Sequence, residues 1–193
     1  MKKLLLSVLI VAIVIISCQT TPVVDAPEKA TGVDLRLPDG VSVRETPRGK
    51  VLQLYDPKAK DDIGKRSATY EVKFKFDKTI EIGSYKEAYN LVAQVLKNNP
   101  NVKIIVEGNS SKEGRAKYNY NLSQRRSDTS YKYLIRLGAE NSKLLKNAFG
   151  EALPEYPTLQ ENRRSEFIII LTEEDLKKYN DFAKTVDVNK ETK

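Results

Sequence analysis

Few residues of this chain could perform covalent chemistry. Its 193 residues include no histidine, no tryptophan and one cysteine. Without histidine there is no imidazole to activate a serine or cysteine, and one cysteine cannot form an intramolecular disulfide or a thiolate metal cluster. Glu113 and Asp77 provide two carboxylates, but nothing in the sequence indicates the raised pKa or the long cleft of a glycosidase. We therefore predict a protein that is not an enzyme and has no cofactor or metal.

The one cysteine lies at the end of an export signal. Lys2 and Lys3 precede an apolar run over residues 4–16, which is shorter than the ~20 residues needed to span a bilayer. Ile-Ser-Cys, followed by polar residues, resembles a bacterial lipobox. This resemblance implies that residues 1–17 are removed and that Cys18 is lipidated, and Gln19 in place of an aspartate favours the outer membrane. An ordinary signal peptide with a bystander cysteine is the alternative.

The chain is moderately basic. Lys and Arg number 33 against 26 Asp and Glu, a net charge of +7 that becomes +5 when the two lysines of the export signal are removed. Because the protein is exported, nucleic acid is excluded as a partner, and the anions within reach are lipid headgroups, wall carboxylates or an envelope protein. A charge balance that serves only solubility explains the excess equally well.

Two segments precede the main domain. Residues 18–33 are rich in Thr, Pro, Val and Ala and show no apolar period, which predicts a flexible tether behind the lipid. Within residues 34–69, two alternating stretches flank a Thr-Pro-Arg-Gly turn and predict a β-hairpin over 41–55. The Lys- and Asp-rich residues 56–67 are then a solvated loop or a second linker.

The rest of the chain alternates strands with helices. Strands are predicted from apolar alternation or apolar runs, over residues 72–76, 102–106 and 166–171. Helices are predicted over residues 84–98, with a Ser84–Glu87 capping box, and from about 121 to 137, closed by Gly138. These elements give an α/β or α+β two-layer sandwich of about 100 residues. In the charged C-terminal tail, 173–193, an acidic start predicts a short helix and the last residues are expected to be loose.

Five short motifs resemble the OmpA-like peptidoglycan-binding domain. They are VKFKFDK at 72–78, VEGNSSKEG at 106–114, YNYNLSQRR at 118–126, FGE at 149–151 and NRR at 162–164. The resemblance covers residues 70–172 in order and spacing. It implies an α+β fold, a two-layer β-α-β-α-β sandwich with a mixed sheet, here preceded by the hairpin.

The resemblance also implies a binding site for the peptide stem of peptidoglycan. Members of the family bind its diaminopimelate through an Asp in the loop after the second strand, which pairs with the ammonium, and an Arg on the next helix, which clamps the carboxylate. Arg126 matches the Arg, whereas Ser111 replaces the Asp. The other ligand-binding residues expected by resemblance are Phe76, Asp77, Asn109, Ser110, Asn119 and Arg163.

Ser111 brings no charge to an ammonium group. A neutral hydrogen bond in place of a charge-assisted one weakens binding by roughly tenfold, so the site resembles a carboxylate pocket more than a zwitterion clamp. Asp77 or Glu113 is a hypothetical substitute for the missing carboxylate, and the ligand is diaminopimelate, another diamino acid or a stem carboxylate. Two structural alternatives remain, in which Arg126 is solvated or paired with Glu107 and residues 162–164 close the domain by capping and ion pairing.

Two functions follow from these patterns. In the first, an outer-membrane lipoprotein with its domain facing the periplasm holds the peptidoglycan stem non-covalently and tethers the membrane to the wall. In the second, the OmpA-like fold is an interaction module for another envelope protein, with peptidoglycan binding lost or altered. The residue that separates them is Ser111.

Overall fold

A seven-stranded sheet forms the centre of the structure, a computed structural model that describes residues 34–59 and 69–192. The strands are β1 (Val41–Thr46), β2 (Gly49–Leu54), β3 (Val72–Phe74), β4 (Glu81–Ile82), β5 (Lys103–Asn109), β6 (Leu144–Gly150) and β7 (Arg164–Ile170). The helices are α1 (Tyr85–Asn98), α2 (Ala116–Arg136), α3 (Leu159–Asn162) and α4 (Glu173–Thr185). The export signal, Cys18, the tether and most of the 56–67 loop lie outside the described residues.

Strand β7 is the centre of the sheet. One of its edges pairs with β5, and its other edge is shared by β2 and β3. Strands β5 and β6 are parallel, whereas the other pairs are antiparallel, so the sheet is mixed. The predicted α+β sandwich with a mixed sheet is confirmed, as is the hairpin, in which Thr46 pairs with Gly49 across a two-residue loop.

Helices α1 and α2 cover one face of the sheet, and the approach of α2 to β5 is very close. A Cβ atom on Gly108 would lie 2.0 Å from the carbonyl oxygen of Ser123. The Ser127 hydroxyl donates a hydrogen bond of 2.7 Å to the carbonyl of Val106. Small residues on both elements therefore allow α2 to pack directly against β5. This close packing fixes the distance of Arg126, on α2, from the end of that strand.

Helix α4 covers the opposite face of the sheet. The segment after β7, predicted as a charged tail with a short helix, is therefore packed against the domain. Its Tyr179 is buried and packs with Phe149 of β6. Thr172 and Asp175 form a capping box at its start, and Asp175 also pairs with Lys50 of the hairpin at 2.7 Å. The structure thus adds a third layer to the expected two. Within residues 34–59 and 69–192, no helix is long and apolar enough to cross a membrane.

Several predicted element bounds are wrong. Strand β5 continues to Asn109 and α2 begins at Ala116, whereas the sequence predicted a loop over 107–117. Glu107 and Asn109 looked like loop residues because they are polar, yet both are buried in the sheet by partners that the sequence does not reveal. Strand β6 was missed because it lacks regular alternation. The Ser84 capping box does not form, since that hydroxyl instead accepts a bond from the amide of Glu71.

Candidate functional site

A cavity of about 220 Å³ opens where the loops after β3 and β5 meet the first turns of α2. Six of the residues predicted for ligand binding line it, together with four others. The predicted six are Phe76, Asp77, Ser111, Asn119, Arg126 and Arg163, and the others are Glu113, Gly114, Tyr118 and Leu122. Segments far apart in the sequence are therefore brought together as the resemblance implied.

Arg126 is a fully buried cation held by backbone carbonyls. Its Nε, Nη1 and Nη2 atoms donate to the carbonyl oxygens of Lys78 at 3.1 Å, Asn109 at 3.0 Å and Lys75 at 3.2 Å. Among the described residues, no carboxylate forms an ion pair with it. Burial, together with the nearby Arg163 cation, lowers its pKa to about 10, so the guanidinium is charged at neutral pH. Three of its five N–H groups are used by these carbonyls, and the side chain is part of the cavity wall.

The alternative in which Arg126 pairs with Glu107 is wrong. Glu107 lies on the α4 side of the sheet, where its carboxylate pairs with Arg48 at 3.0 Å and accepts a bond from the Tyr179 hydroxyl. Residues 162–164 do have the predicted structural role in part, because Asn162 bonds the carbonyl of Thr158 and Arg164 pairs with Glu166 at 2.7 Å.

The carboxylate of Glu113 lies next to Ser111, which has no carboxylate of its own. The Ser111 hydroxyl donates to Oε2 of Glu113 at 2.5 Å, and the same oxygen lies 3.3 Å from Nη1 of Arg163. The Glu113 side chain is 35% exposed at the cavity mouth. The loop therefore delivers an anionic group two residues after the position at which the family places it.

Two aromatic side chains and Asp77 form the outer rim of the cavity. Phe76 is 60% exposed and Tyr118 is 46% exposed. The Tyr118 hydroxyl donates a hydrogen bond to Asp77, and this bond raises the tyrosine pKa. With α2 starting at Ala116, the spacing of Tyr118, Leu122 and Arg126 at i, i+4 and i+8 places all three on one face, which is the signal that was missed.

Asn109 and Ser110 are buried and do not line the cavity. The Asn109 amide nitrogen donates to Glu107 at 3.2 Å, and the Ser110 hydroxyl donates to the carbonyl of Asn119 at 3.2 Å. Asn119 does line the cavity, but its amide nitrogen is bound to Glu151 at 2.6 Å. These three residues hold the loop and the start of α2 in place.

The cavity wall balances two cations against two carboxylates. Arg126 and Arg163 carry the positive charges, and Asp77 and Glu113 carry the negative ones. Such a wall matches a small zwitterion that presents a carboxylate and an ammonium group. In the described part of the chain, no cluster of side chains suits a metal ion.

Comparison with known proteins gives the chain its family. The OmpA family model matches residues 73–166. The peptidoglycan-associated lipoprotein of Haemophilus influenzae is 37% identical over 83 residues, 43% of this chain and 54% of that protein. The protein of the same name from Pasteurella multocida is 32% identical over 102 residues, 53% of this chain and 67% of that protein. The chain thus spans between about half and two thirds of these relatives.

A solved structure agrees with the fold. The periplasmic domain of Helicobacter pylori MotB superimposes with a TM-score of 0.52 at 19% identity, over 75% of this chain and 87% of that one. At this identity the likeness shows the fold alone. The family model, the extent of the match to the Pasteurella relative and the arrangement of strands and helices all agree on one family. This chain therefore belongs to the OmpA family.

Proposed function

We propose that this protein binds the peptide stem of peptidoglycan non-covalently and tethers the outer membrane to the cell wall. The proposal depends on one observation above all. Arg126 is a buried, charged guanidinium with two unused N–H groups at a cavity wall and no carboxylate partner in the described chain. A buried cation without a counter-ion is costly, and a ligand carboxylate that accepts two parallel hydrogen bonds supplies what is missing. The names of the two bacterial relatives support the choice of peptidoglycan.

The ligand that suits this wall is the free end of a diamino acid that carries both charges. Its carboxylate binds Arg126, and its ammonium group binds Glu113 beside Ser111, with Asp77 as the second anion at the rim. Diaminopimelate has such an end, whereas ornithine lacks the side-chain carboxylate that Arg126 requires. No bond is made or broken, so the role is one of binding and not of catalysis.

The N-terminal segment supplies the membrane end of the tether. Lipid chains on Cys18 give a stable anchor, because each buried methylene contributes ~0.8 kcal/mol. The roughly 15 residues from 19 to 33, at no more than ~3.3 Å each, allow the domain to work up to roughly 50 Å from the anchor. The domain then faces the periplasm.

A second function is favoured by the apolar rim of the cavity. Phe76 and Tyr118, which line the cavity, are 60% and 46% exposed, and Ile80, in the turn between β3 and β4, is 52% exposed. Exposed aromatic and aliphatic side chains next to charged groups are typical of the centre of a protein–protein interface. In this alternative the same end of the domain docks an envelope protein, and wall binding is weak or absent.

Co-sedimentation with purified diaminopimelate-type peptidoglycan separates the two functions. The full chain, exported and purified in detergent micelles, is compared with Arg126→Ala, Ser111→Asp and the control Lys132→Ala, which removes an exposed charge from the same helix. Thermal unfolding of each variant shows whether it is folded. We expect wild type and Lys132→Ala to pellet and Arg126→Ala to stay in solution. If wild type stays in solution while Ser111→Asp pellets, the interaction-module function is the correct one.

A further inference from the structure

A chain of polar contacts reaches Arg126 from the opposite face of the sheet. Arg48 Nε lies 3.0 Å from Oε2 of Glu107, and the Tyr179 hydroxyl donates to that oxygen at 3.1 Å. The other oxygen of Glu107 accepts from the amide nitrogen of Asn109 at 3.2 Å. The main-chain carbonyl of Asn109 then accepts from Nη1 of Arg126 at 3.0 Å.

Asn109 is the weakly held link in this chain. The ladder between β5 and β7 ends at Gly108, opposite Ser165, and the register with β6 shifts between Gly108 and Asn109. At Asn109 the sheet therefore constrains the backbone on the β6 side and not on the β7 side. The side-chain bond from Asn109 to Glu107 supplies the remaining constraint, because a buried amide bound to a carboxylate cannot rotate freely.

Glu107 in turn depends on partners from outside the family match. Its side chain is completely buried, and burial raises the pKa of its carboxyl group, while Arg48 counteracts this effect. Arg48 lies in the two-residue loop of the hairpin and Tyr179 lies on α4, whereas the family model covers residues 73–166 only. Both elements thus converge on one carboxylate, on the face of the sheet that α4 covers.

We infer that Arg48 and Tyr179 are positioning residues for Arg126. By holding the Glu107 side chain in place, they orient Asn109, and the Asn109 carbonyl positions the guanidinium at the cavity. The hairpin and α4 therefore tune ligand affinity without contacting the ligand. This inference deepens the proposed function. Its test by ligand affinity rests on that function, because it requires the protein to bind the peptidoglycan stem.

Three variants test the inference in the full chain in detergent micelles. Tyr179→Phe removes one hydroxyl and keeps the ring packed on Phe149, and Arg48→Met removes the cation. Arg44→Met is the matched control, because Arg44 pairs with Glu155 and Glu166 in the same group of charges but not with Glu107. The probe is a disaccharide-tripeptide that ends in diaminopimelate, with its affinity measured by calorimetry. Coupled networks of this kind change affinity by roughly twofold to thirtyfold.

We expect Tyr179→Phe to weaken binding at the low end of that range and Arg48→Met at the high end, with Arg44→Met unchanged. A second measurement needs no ligand. Hydrogen exchange of the Arg126 Nε proton, followed by NMR, is slow when the bond to Lys78 is intact and becomes faster if the guanidinium is released. A merely structural loss of stability speeds this exchange only through global unfolding, so the inference requires the free energy of exchange to fall by more than the free energy of unfolding measured with denaturant.

The outcomes are distinguishable. Wild-type affinity and wild-type Nε exchange in folded Tyr179→Phe and Arg48→Met would overturn the inference, and if Arg48→Met does not fold, Tyr179→Phe decides alone. If the wild type binds no disaccharide-tripeptide, the proposed function fails. The Nε exchange rates then still show whether Arg48 and Tyr179 position Arg126.

Discussion

Replacing Glu113 by glutamine tests the origin of the ammonium site most sharply. The amide oxygen of glutamine can still accept the hydrogen bond from Ser111, so the loop keeps its local contact. What is lost is the negative charge, which pairs at 3.3 Å with Arg163 and which faces the cavity. The variant therefore separates charge from shape.

The expected effects on affinity and on stability differ in size. Hydrogen bonds to charged groups contribute about 1.5–3 kcal/mol. An ammonium–carboxylate bond is charged on both sides and lies at the upper end of this range, whereas an ammonium–amide bond keeps only the charge of the ligand and lies at the lower end, so the affinity for a diaminopimelate stem should fall roughly tenfold. The ion pair with Arg163 is partly exposed, and such pairs contribute about 0–1 kcal/mol to folding. Arg163 also keeps its place over the Phe76 ring. The free energy of unfolding should therefore change little.

Calorimetric titration with the stem fragment and urea unfolding measure the two quantities on the same samples. Glu140→Gln is the control, since Glu140 forms a comparable exposed ion pair with Lys143 at 3.2 Å, and neither residue lines the cavity. A Glu113→Gln affinity equal to that of wild type would refute the assignment of Glu113 as the ammonium partner. The double variant Ser111→Asp with Glu113→Gln should bind more tightly than Glu113→Gln alone, because it returns a carboxylate to the same place.

Three other substitutions have defined outcomes. Gly108→Ala puts a methyl group 2.0 Å from the Ser123 carbonyl, so α2 must move, and we expect a loss of about 1–3 kcal/mol in urea unfolding together with weaker co-sedimentation. Leu134→Ala, in the buried core, should cost about 3 kcal/mol but leave wall binding intact while the protein is folded. Although burial opposes ionisation, the bond from Lys50 lowers the pKa of Asp175. Its stabilisation is thus present above the unfolded pKa of about 3.9 and lost as pH falls further, so Asp175→Asn should lower stability by about 1 kcal/mol at pH 7, and by less in acid.

The fold was predictable wherever the apolar pattern was set by a single buried face. The buried face of α1, with Ala88, Leu91, Val92 and Val95, has the helical spacing that located the helix. Strand β7 is buried along its whole length, and its apolar half was recognised as a strand. The pattern failed where polar residues were buried, as at Glu107 in β5. Glu107 can be buried because its charge is paired with Arg48, a residue far away in the sequence. Such long-range pairing leaves no pattern in the sequence around Glu107.

The residues of the candidate site could be located by motif, but their contacts with one another could not. Arg126 and Ser111 were located through the resemblance, and the structure brings both to one cavity. The contact of Glu113 with Ser111 depends on the path of a loop whose Gly114 has a φ of +105°, which the sequence alone does not specify. Arg48 was unremarkable as a turn residue. Its burial against Glu107 exists only because the hairpin folds back on the sheet.

The loss of the aspartate at position 111 has a physical explanation within the proposed function. An ammonium group recognises a negative charge at a point in space and is indifferent to the residue that supplies it. The Ser111 hydroxyl carries no charge, but it donates a hydrogen bond of 2.5 Å to the Glu113 carboxylate, and Arg163 lies 3.3 Å from the same oxygen. Since both contacts restrict the rotamers of Glu113 before a ligand arrives, less conformational entropy is lost on binding than for a free glutamate. A serine at position 111 is therefore compatible with wall binding as long as Glu113 remains two residues away.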